Sequence, residues 1–355
     1  LGEGGYHIGL MADMDALLVP DECGVPQPFH SCGHSVQVAV MLTVMRALKN
    51  SHLLDEMPGR VSLFLTPAEE FIDLEFRRNL IRSGGIRYCS GKQNIAASGL
   101  LDDVDCVLSC HVMGGKAHAF DVNSTLAGFT VKKVTFRGKA AHSGVAPHEG
   151  RNALHAAVLF LQACAFIKDQ FPPEAGIRLE PILTEGGISM NVVPETAVVE
   201  TYLRANTMDD LAILQDKFDA ASHHSAGAIG VGAKIDNTIG YVPLRQSPEL
   251  TDVVYRNMRL FYDEGAIARD VVSGASGDIG DIARFLPTVQ FGFSGMEGRV
   301  HSGDFSIHDP EHAYMDTAKV LLGTVADLLL NRELQVRNPN VLKDRAWYLK
   351  EWLKA

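Results

Sequence analysis

The segment FHSCGHSVQV, residues 29–38, places His30, Cys32 and His34 within five positions on a loop broken by Gly33. Further along, GRVSLFLTPAEE (59–70) ends on the adjacent carboxylates Glu69 and Glu70, DDVDCVLSCHVMG (102–114) carries His111, and His301 follows TVQFGF (288–293) after a loop. Imidazole, thiolate and carboxylate together suit Zn, Mn, Co or Ni without selecting among them. Neighbouring glutamates diverge, so one can hold a cation while the other takes a proton from water. Each feature also has an ordinary reading. Cys32 and His34 fit a polar turn over a buried thiol. Glu69 and Glu70 fit a solvated helix start, and His111 a satisfied strand-end histidine. A third chemistry makes Cys32 a nucleophile with His34 as its base. Two positions apart on one loop is poor geometry for that pair, and it leaves Glu69, Glu70, His111 and His301 unused. Spacing alone leaves these readings open.

In open α/β sheets, ligands gather at the carboxyl ends of strands, and the candidate groups follow predicted strands. YHIGLMADMDAL (6–17) begins as an apolar strand, QVAVMLTVMRALKN (37–50) has helical spacing, and 59–70 and 102–114 are again strands. This order predicts an α/β domain with a mostly parallel sheet and helices on both faces. The middle reads differently. A strand at 128–142, a helix at 151–168, strands near 177–184 and at 195–205, a Thr-capped helix at 207–227 and a strand at 228–237 give the order β-α-β-β-α-β. That is a ferredoxin-like α+β domain at 124–238, inserted between the two parts of the first domain, 1–123 and 239–355. A helix at 247–262, the strand 288–293 and a helix at 313–331 complete the first domain.

The chain has 355 residues and a formal net charge of −11. Such a surface repels phosphate backbones, which argues against nucleic acid as a partner. The longest apolar run, 153–167, carries His155 and Gln162 and reads as a buried helix, so no membrane association is expected. Six cysteines without regular spacing predict a reducing, cytoplasmic setting. The chain opens on Leu1, almost directly at a strand, and a preceding segment is expected to be missing. The basic stretch 76–100 reads as a solvated helix and loop, with a pocket wall or partner surface as the alternative. SGASGDIGDIARF (273–285) is a Gly-rich turn entering a helix, too acidic for a phosphate cradle.

The segments GLMADMDAL, HSCGHS, TPAEE, HVMG, GKAAHSGVAPHEGRNAL, GGISMNVVPETAVVETYLRA and HSGDFSIHDPEHAY occur in the order seen in the M20 metallopeptidase superfamily. The chain resembles its amidohydrolase branch, which includes N-acyl-amino-acid, hippurate, auxin-conjugate and aminobenzoyl-glutamate hydrolases, from about residue 6 to 331. The resemblance implies a catalytic domain with two divalent metal ions and an inserted lid domain that forms a homodimer. It implies Cys32 as the ligand bridging both metals, with His34, Glu70, His111 and His301 as the others. Glu69 would be the general base and acid. Asp15 would lie behind the ligands and orient one of them. His142 would polarise the scissile carbonyl, reaching in from the partner subunit. Asn191 would contact a substrate carboxylate, and Arg204 is a second candidate grip for it.

Three positions depart from the family pattern. Ser35 replaces an acid or amide after the second histidine of the HSCGH segment, Gln37 stands where a further histidine is common, and Gly114 stands where a proline is common. The helical segment that normally precedes the first strand is also absent. The implied activity is hydrolysis of small N-acyl or N-aroyl amino acids, or dipeptide-like amides. The alternative is a family member that binds a metabolite or partner without turnover.

Overall fold

Tyr6–Asp13 is buried at every position. Its sequence does not alternate, which suits a strand covered on both faces. It pairs in parallel with Gly59–Thr66 on one side and Cys106–Val112 on the other. The six-stranded sheet runs Ile267–Arg269, Phe120–Val122, Thr288–Phe293, Cys106–Val112, Tyr6–Asp13, Gly59–Thr66. Its pairings are parallel except for Phe120–Val122 against Thr288–Phe293. In register, Asp13 lies opposite Thr66, and His111 opposite Gly292. Four carboxyl ends therefore line one edge of the sheet, where a mostly parallel topology places its chemistry.

The computed structural model describes residues 1–21, 23–56, 58–113 and 117–354, so Gly114 lies outside the described residues. The chain divides into two units. The first comprises Leu1–Thr125, Leu244–Ser273 and Gly277–Ala355, and the second Leu126–Pro243 with Gly274–Ser276.

In the first unit, helix His34–Ser51 buries Val36, Val40, Met41, Val44 and Leu48 in one core with Val320, Leu321, Val325 and Leu328 of helix Thr317–Leu330. The i, i+4 spacing of these residues gives each helix its apolar stripe. The chain beyond that helix returns to the same unit. Tyr6 Oη donates to the Val336 carbonyl at 2.6 Å, Arg345 pairs with Asp102 at 2.6 Å, and the buried Tyr348 donates to Asp281 at 2.5 Å. The short hairpin Leu17–Pro20 with Pro26–Phe29, and the edge strands Phe120–Val122 and Ile267–Arg269, were not expected from the sequence pattern. Each is four residues or shorter, below the length at which periodicity is readable.

The second unit is an antiparallel sheet in the order Gly232–Ile239, Gly128–Arg137, Thr196–Ala205, Arg178–Leu179, with Ile182–Glu185 also on Thr196–Ala205. Helices Ala153–Lys168 and Met208–Ile229 join its core, where Phe160 packs between Phe136 and Phe218 at ring centroid distances of 5.7 and 4.8 Å. The strand expected to reach residue 142 stops at Arg137. At Gly138 a Cβ would meet the Arg151 carbonyl oxygen at 1.9 Å, and the chain crosses there instead of continuing the sheet. The second helix runs on to Ile229 and is closed by Gly230 at φ 73, which delays the last strand to Gly232. Among the described residues, no helix is long and apolar enough to cross a membrane.

Candidate metal centre

Gly33 holds the first corner of the site. It caps helix His34–Ser51 at φ 75, and a Cβ there would meet Val112 at 3.1 Å. Glycine is required by both the left-handed backbone and the close approach. Cys32 and His34 are thereby set on either side of a tight corner, at 8% and 1% exposure.

Two histidine tautomers are fixed by backbone carbonyls. His34 Nδ1 is 2.9 Å from the Asp15 carbonyl, and His111 Nδ1 is 2.8 Å from the Val112 carbonyl. A carbonyl only accepts, so both Nδ1 atoms carry a proton and, in the neutral ring, both Nε2 atoms present a lone pair. Among the described residues His34 Nε2 is buried without a hydrogen-bond partner, and His111 Nε2 lies 3.7 Å from Cys32 Sγ. A buried lone pair with no donor is costly unless something electrophilic meets it.

The donor atoms fall into three overlapping groups: Cys32, His34 and His111; Cys32, Glu70 and His301; and His34, Glu69 and Glu70, with the atoms of each group within 4.8 Å of one another. Cys32 is shared by the first two groups, and His301 Nε2 lies 3.1 Å from Glu70 Oε1. His301 reaches this point from a loop at φ 67 whose amide donates to the Ser31 carbonyl at 2.9 Å. Glu69 and Glu70 are each 9% exposed on a turn after the strand, and helix Leu74–Arg82 starts only later, so they are not a solvated helix start.

The charges describe a pocket with an excess of donors. Burial, with Glu70 and Glu69 adding to it, pushes the Cys32 thiol far above its usual range. An activated thiol nucleophile has the opposite shift, and the imidazole in contact with Cys32 Sγ is that of His111, 3.7 Å away, so neither the environment nor the geometry supports the Cys32–His34 nucleophile reading. Burial, then Asp13 and Asp278, raise Glu69 well above the usual carboxylate range. Although burial pulls the other way, His301 and Cys32 hold Glu70 low, and Asp15 and Asp13 hold His34 high. Thiol, carboxylates and imidazole lone pairs converging in a buried space fit divalent cations.

Asp15 stands behind two of these groups. Besides its carbonyl contact to His34, its Oδ2 accepts the Glu70 amide at 2.9 Å. Of the departures, Gln37 is buried and bridges strands, accepting the Asp13 amide at 2.9 Å and donating to Ser109 Oγ at 3.2 Å, while Ser35 is exposed.

Sequence reasoning missed the layer beneath. Lys92 is fully buried and paired with Asp13 and, at 2.5 Å, with Asp278. Thr66 Oγ1 donates to Asp13 at 2.8 Å, and Ser90 Oγ to Asp278 at 2.5 Å. Arg77 is buried too, against backbone carbonyls. The stretch 76–100 is therefore not simply solvated. The one signal available was Ser90 capping a helix at Gly91–Ser98, which turns Lys92 inward.

The remaining candidates lie in the second unit. His142 Nδ1 accepts from the amides of Gly144 and Val145, both at 3.2 Å, which leaves Nε2 as the donor. The loop of His142 is joined to that of Asn191 by Ser143 N to Asn191 O at 3.0 Å, so these two come together. Asn191 is exposed and accepts from Ser189 Oγ at 2.5 Å. Arg204 is engaged elsewhere: it donates to the Gly274 carbonyl at 3.2 Å and stacks over Tyr202 and Phe129.

Comparison with known proteins bears on this arrangement. The sequence profile of peptidase family M20/M25/M40 matches residues 9–327. A human Xaa-Arg dipeptidase is 27% identical over 340 residues, covering 92% of this chain and 71% of the relative. The N-acetyl-L-cysteine deacetylase of Bacillus subtilis strain 168 is 25% identical over 328 residues, 88% of this chain and 71% of the relative. A solved Bacillus subtilis structure, described as a dinuclear metal binding peptidase from the M20 family, shares the fold with a TM-score of 0.66 at 16% identity, covering 91% of this chain and 82% of that one.

Proposed function

This chain belongs to peptidase family M20/M25/M40, and from that premise we propose that it hydrolyses the amide bond of small N-acyl or N-aroyl amino acids, or of dipeptide-like amides, with two divalent ions held by Cys32, His34, Glu70, His111 and His301. The observation that carries the proposal is the pair of carbonyl-locked imidazoles, His34 and His111, clustered with Cys32, which in turn clusters with Glu70 and His301. The relatives named above act on peptide and N-acetyl bonds, which supports the substrate class.

When bound, the ions supply an acidified water and a Lewis acid for the amide oxygen. Glu69 accepts the proton of the attacking water and delivers it to the departing nitrogen. His142 Nε2–H donates to the developing oxyanion, and Asn191 binds the substrate carboxylate. Arg204 is a weaker candidate for that grip, since its guanidinium is already stacked and hydrogen-bonded. Asp15 orients His34 and the Glu70 backbone. The donor set accommodates Zn, Mn, Co or Ni.

The second unit is proposed as the lid and dimerisation domain. Val145, Ile188 and Met190, beside His142 and Asn191, are exposed at 77%, 88% and 100%, an apolar set that a partner subunit would cover.

Amine release from a panel of N-acetyl, N-benzoyl and aminobenzoyl amino acids and dipeptides, with Mn²⁺ or Zn²⁺ and with a chelator, tests the activity. Metal-dependent release is expected. Release that ignores the chelator, or none from metal-loaded protein, would contradict it.

A further inference from the structure

Glu69 and Glu70 sit on a turn that residues from outside it help to hold. After Thr66 the chain passes Pro67 and then Ala68 at φ 63, a conformation that strains a residue with a Cβ. The turn is closed on three sides. Gly91 approaches so closely that a Cβ would meet the Pro67 carbonyl oxygen at 1.9 Å, and Asp15 Oδ2 accepts the Glu70 amide at 2.9 Å. On the third side stands Arg77 of helix Leu74–Arg82. Its Nη1 donates to the carbonyls of Cys89 at 2.8 Å and Ala68 at 3.3 Å, and its Nη2 donates to the carbonyl of Glu70. Among the described residues no carboxylate pairs with this guanidinium. A buried cation held by main-chain carbonyls is a costly device, and here two of the three carbonyls, those of Ala68 and Glu70, bracket the Glu69–Glu70 pair.

We propose that Arg77 is a positioning residue for the active centre: its planar fork fixes the peptide groups that precede Glu69 and follow Glu70 and so aims the Glu69 and Glu70 carboxylates. The roles of those two carboxylates rest on the function proposed above; the clamp itself does not. A lysine carries the charge but cannot serve two separated carbonyls in one plane. Arg77→Lys therefore removes the fork while keeping a buried cation.

The test compares wild type, Arg77→Lys and the double variant Ala68→Gly/Arg77→Lys. In metal-free protein, amide exchange of segment 66–72 should accelerate about tenfold or more in Arg77→Lys, with the strands Tyr6–Asp13 and Cys106–Val112 unchanged. Co²⁺ titration followed by visible absorption should show an altered spectrum and affinity weakened by about tenfold. Turnover of the best panel substrate should lose about tenfold in kcat with little change in KM. Glycine at 68 removes the backbone strain, and the double variant should recover part of each loss. Unchanged exchange at 66–72 with an unchanged Co²⁺ spectrum would overturn the proposal. So would acceleration spread evenly over the whole unit, the mark of a general stability effect. Wild type that hydrolyses nothing in the panel would overturn the proposed function instead, and the exchange and Co²⁺ readouts would still decide the clamp.

Discussion

His34 is tied to Asp15 by its Nδ1, 2.9 Å from the Asp15 carbonyl oxygen, and the side chain of the same aspartate accepts the Glu70 amide. One residue thus orients two donors that arrive from different elements, a helix start and the turn after a strand. Asp15→Ala keeps the carbonyl and removes the carboxylate. It should weaken metal binding by about 10- to 100-fold, the usual effect of removing an outer partner of a ligand. Isothermal titration with Zn²⁺ checks this. Affinity equal to wild type would show that the Asp15 side chain is not needed behind the centre.

Lys92 with Asp13 and Asp278 is a buried ion cluster under the site. Breaking such a cluster from one side leaves uncompensated charge, at a cost of about 3–5 kcal/mol. Lys92→Met should lower the urea midpoint accordingly. Lys92→Met/Asp13→Asn/Asp278→Asn should recover most of the loss, because no charge is then left uncompensated. A triple variant as unstable as the single one would place the cost in packing.

His7 gives a pH dependence away from the metal centre. Its Nδ1 donates to the Asp103 carbonyl at 2.9 Å, and its Nε2 is 2.8 Å from Ser62 Oγ, so the neutral ring is satisfied on both sides. Burial, assisted by the charge of Arg60 and only partly offset by Asp103, holds its pKa below the usual histidine value. The unfolded chain therefore takes up the proton first as the pH falls. The stability that His7 contributes is intact above about pH 6.5 and is lost as the pH falls towards the folded value. Thermal melts between pH 7.5 and about 5 should fall more steeply for wild type than for His7→Gln, the difference limited to one proton, about 1.4 kcal/mol per pH unit. Parallel curves would contradict the assignment.

The donor residues were legible because their types are unusual at strand ends, and because a parallel sheet brings such ends to one edge. Cys32, His34, Glu69, Glu70, His111 and His301 could be picked out from the sequence, and the structure gathers them. Arg77 and Lys92 were not legible. In sequence they belong to a run of basic residues that looks solvated, and burial of a cation depends on partners found only in three dimensions. Asp278 lies 186 residues from Lys92. The tautomers of His34 and His111 were equally hidden, since they are set by main-chain carbonyls. The end of the strand at Arg137 turned on one close approach, that of Arg151 to Gly138, which carries no periodic signature.

The central claim is that Glu69 moves the proton and does not hold the metals. Glu69→Gln, measured for bound metal by elemental analysis and for amine release on the substrate that wild type turns over best, tests it most directly. Metal content equal to wild type with turnover reduced by at least about 100-fold is the predicted result. Turnover retained with metals bound would contradict it, and so would loss of the metals themselves.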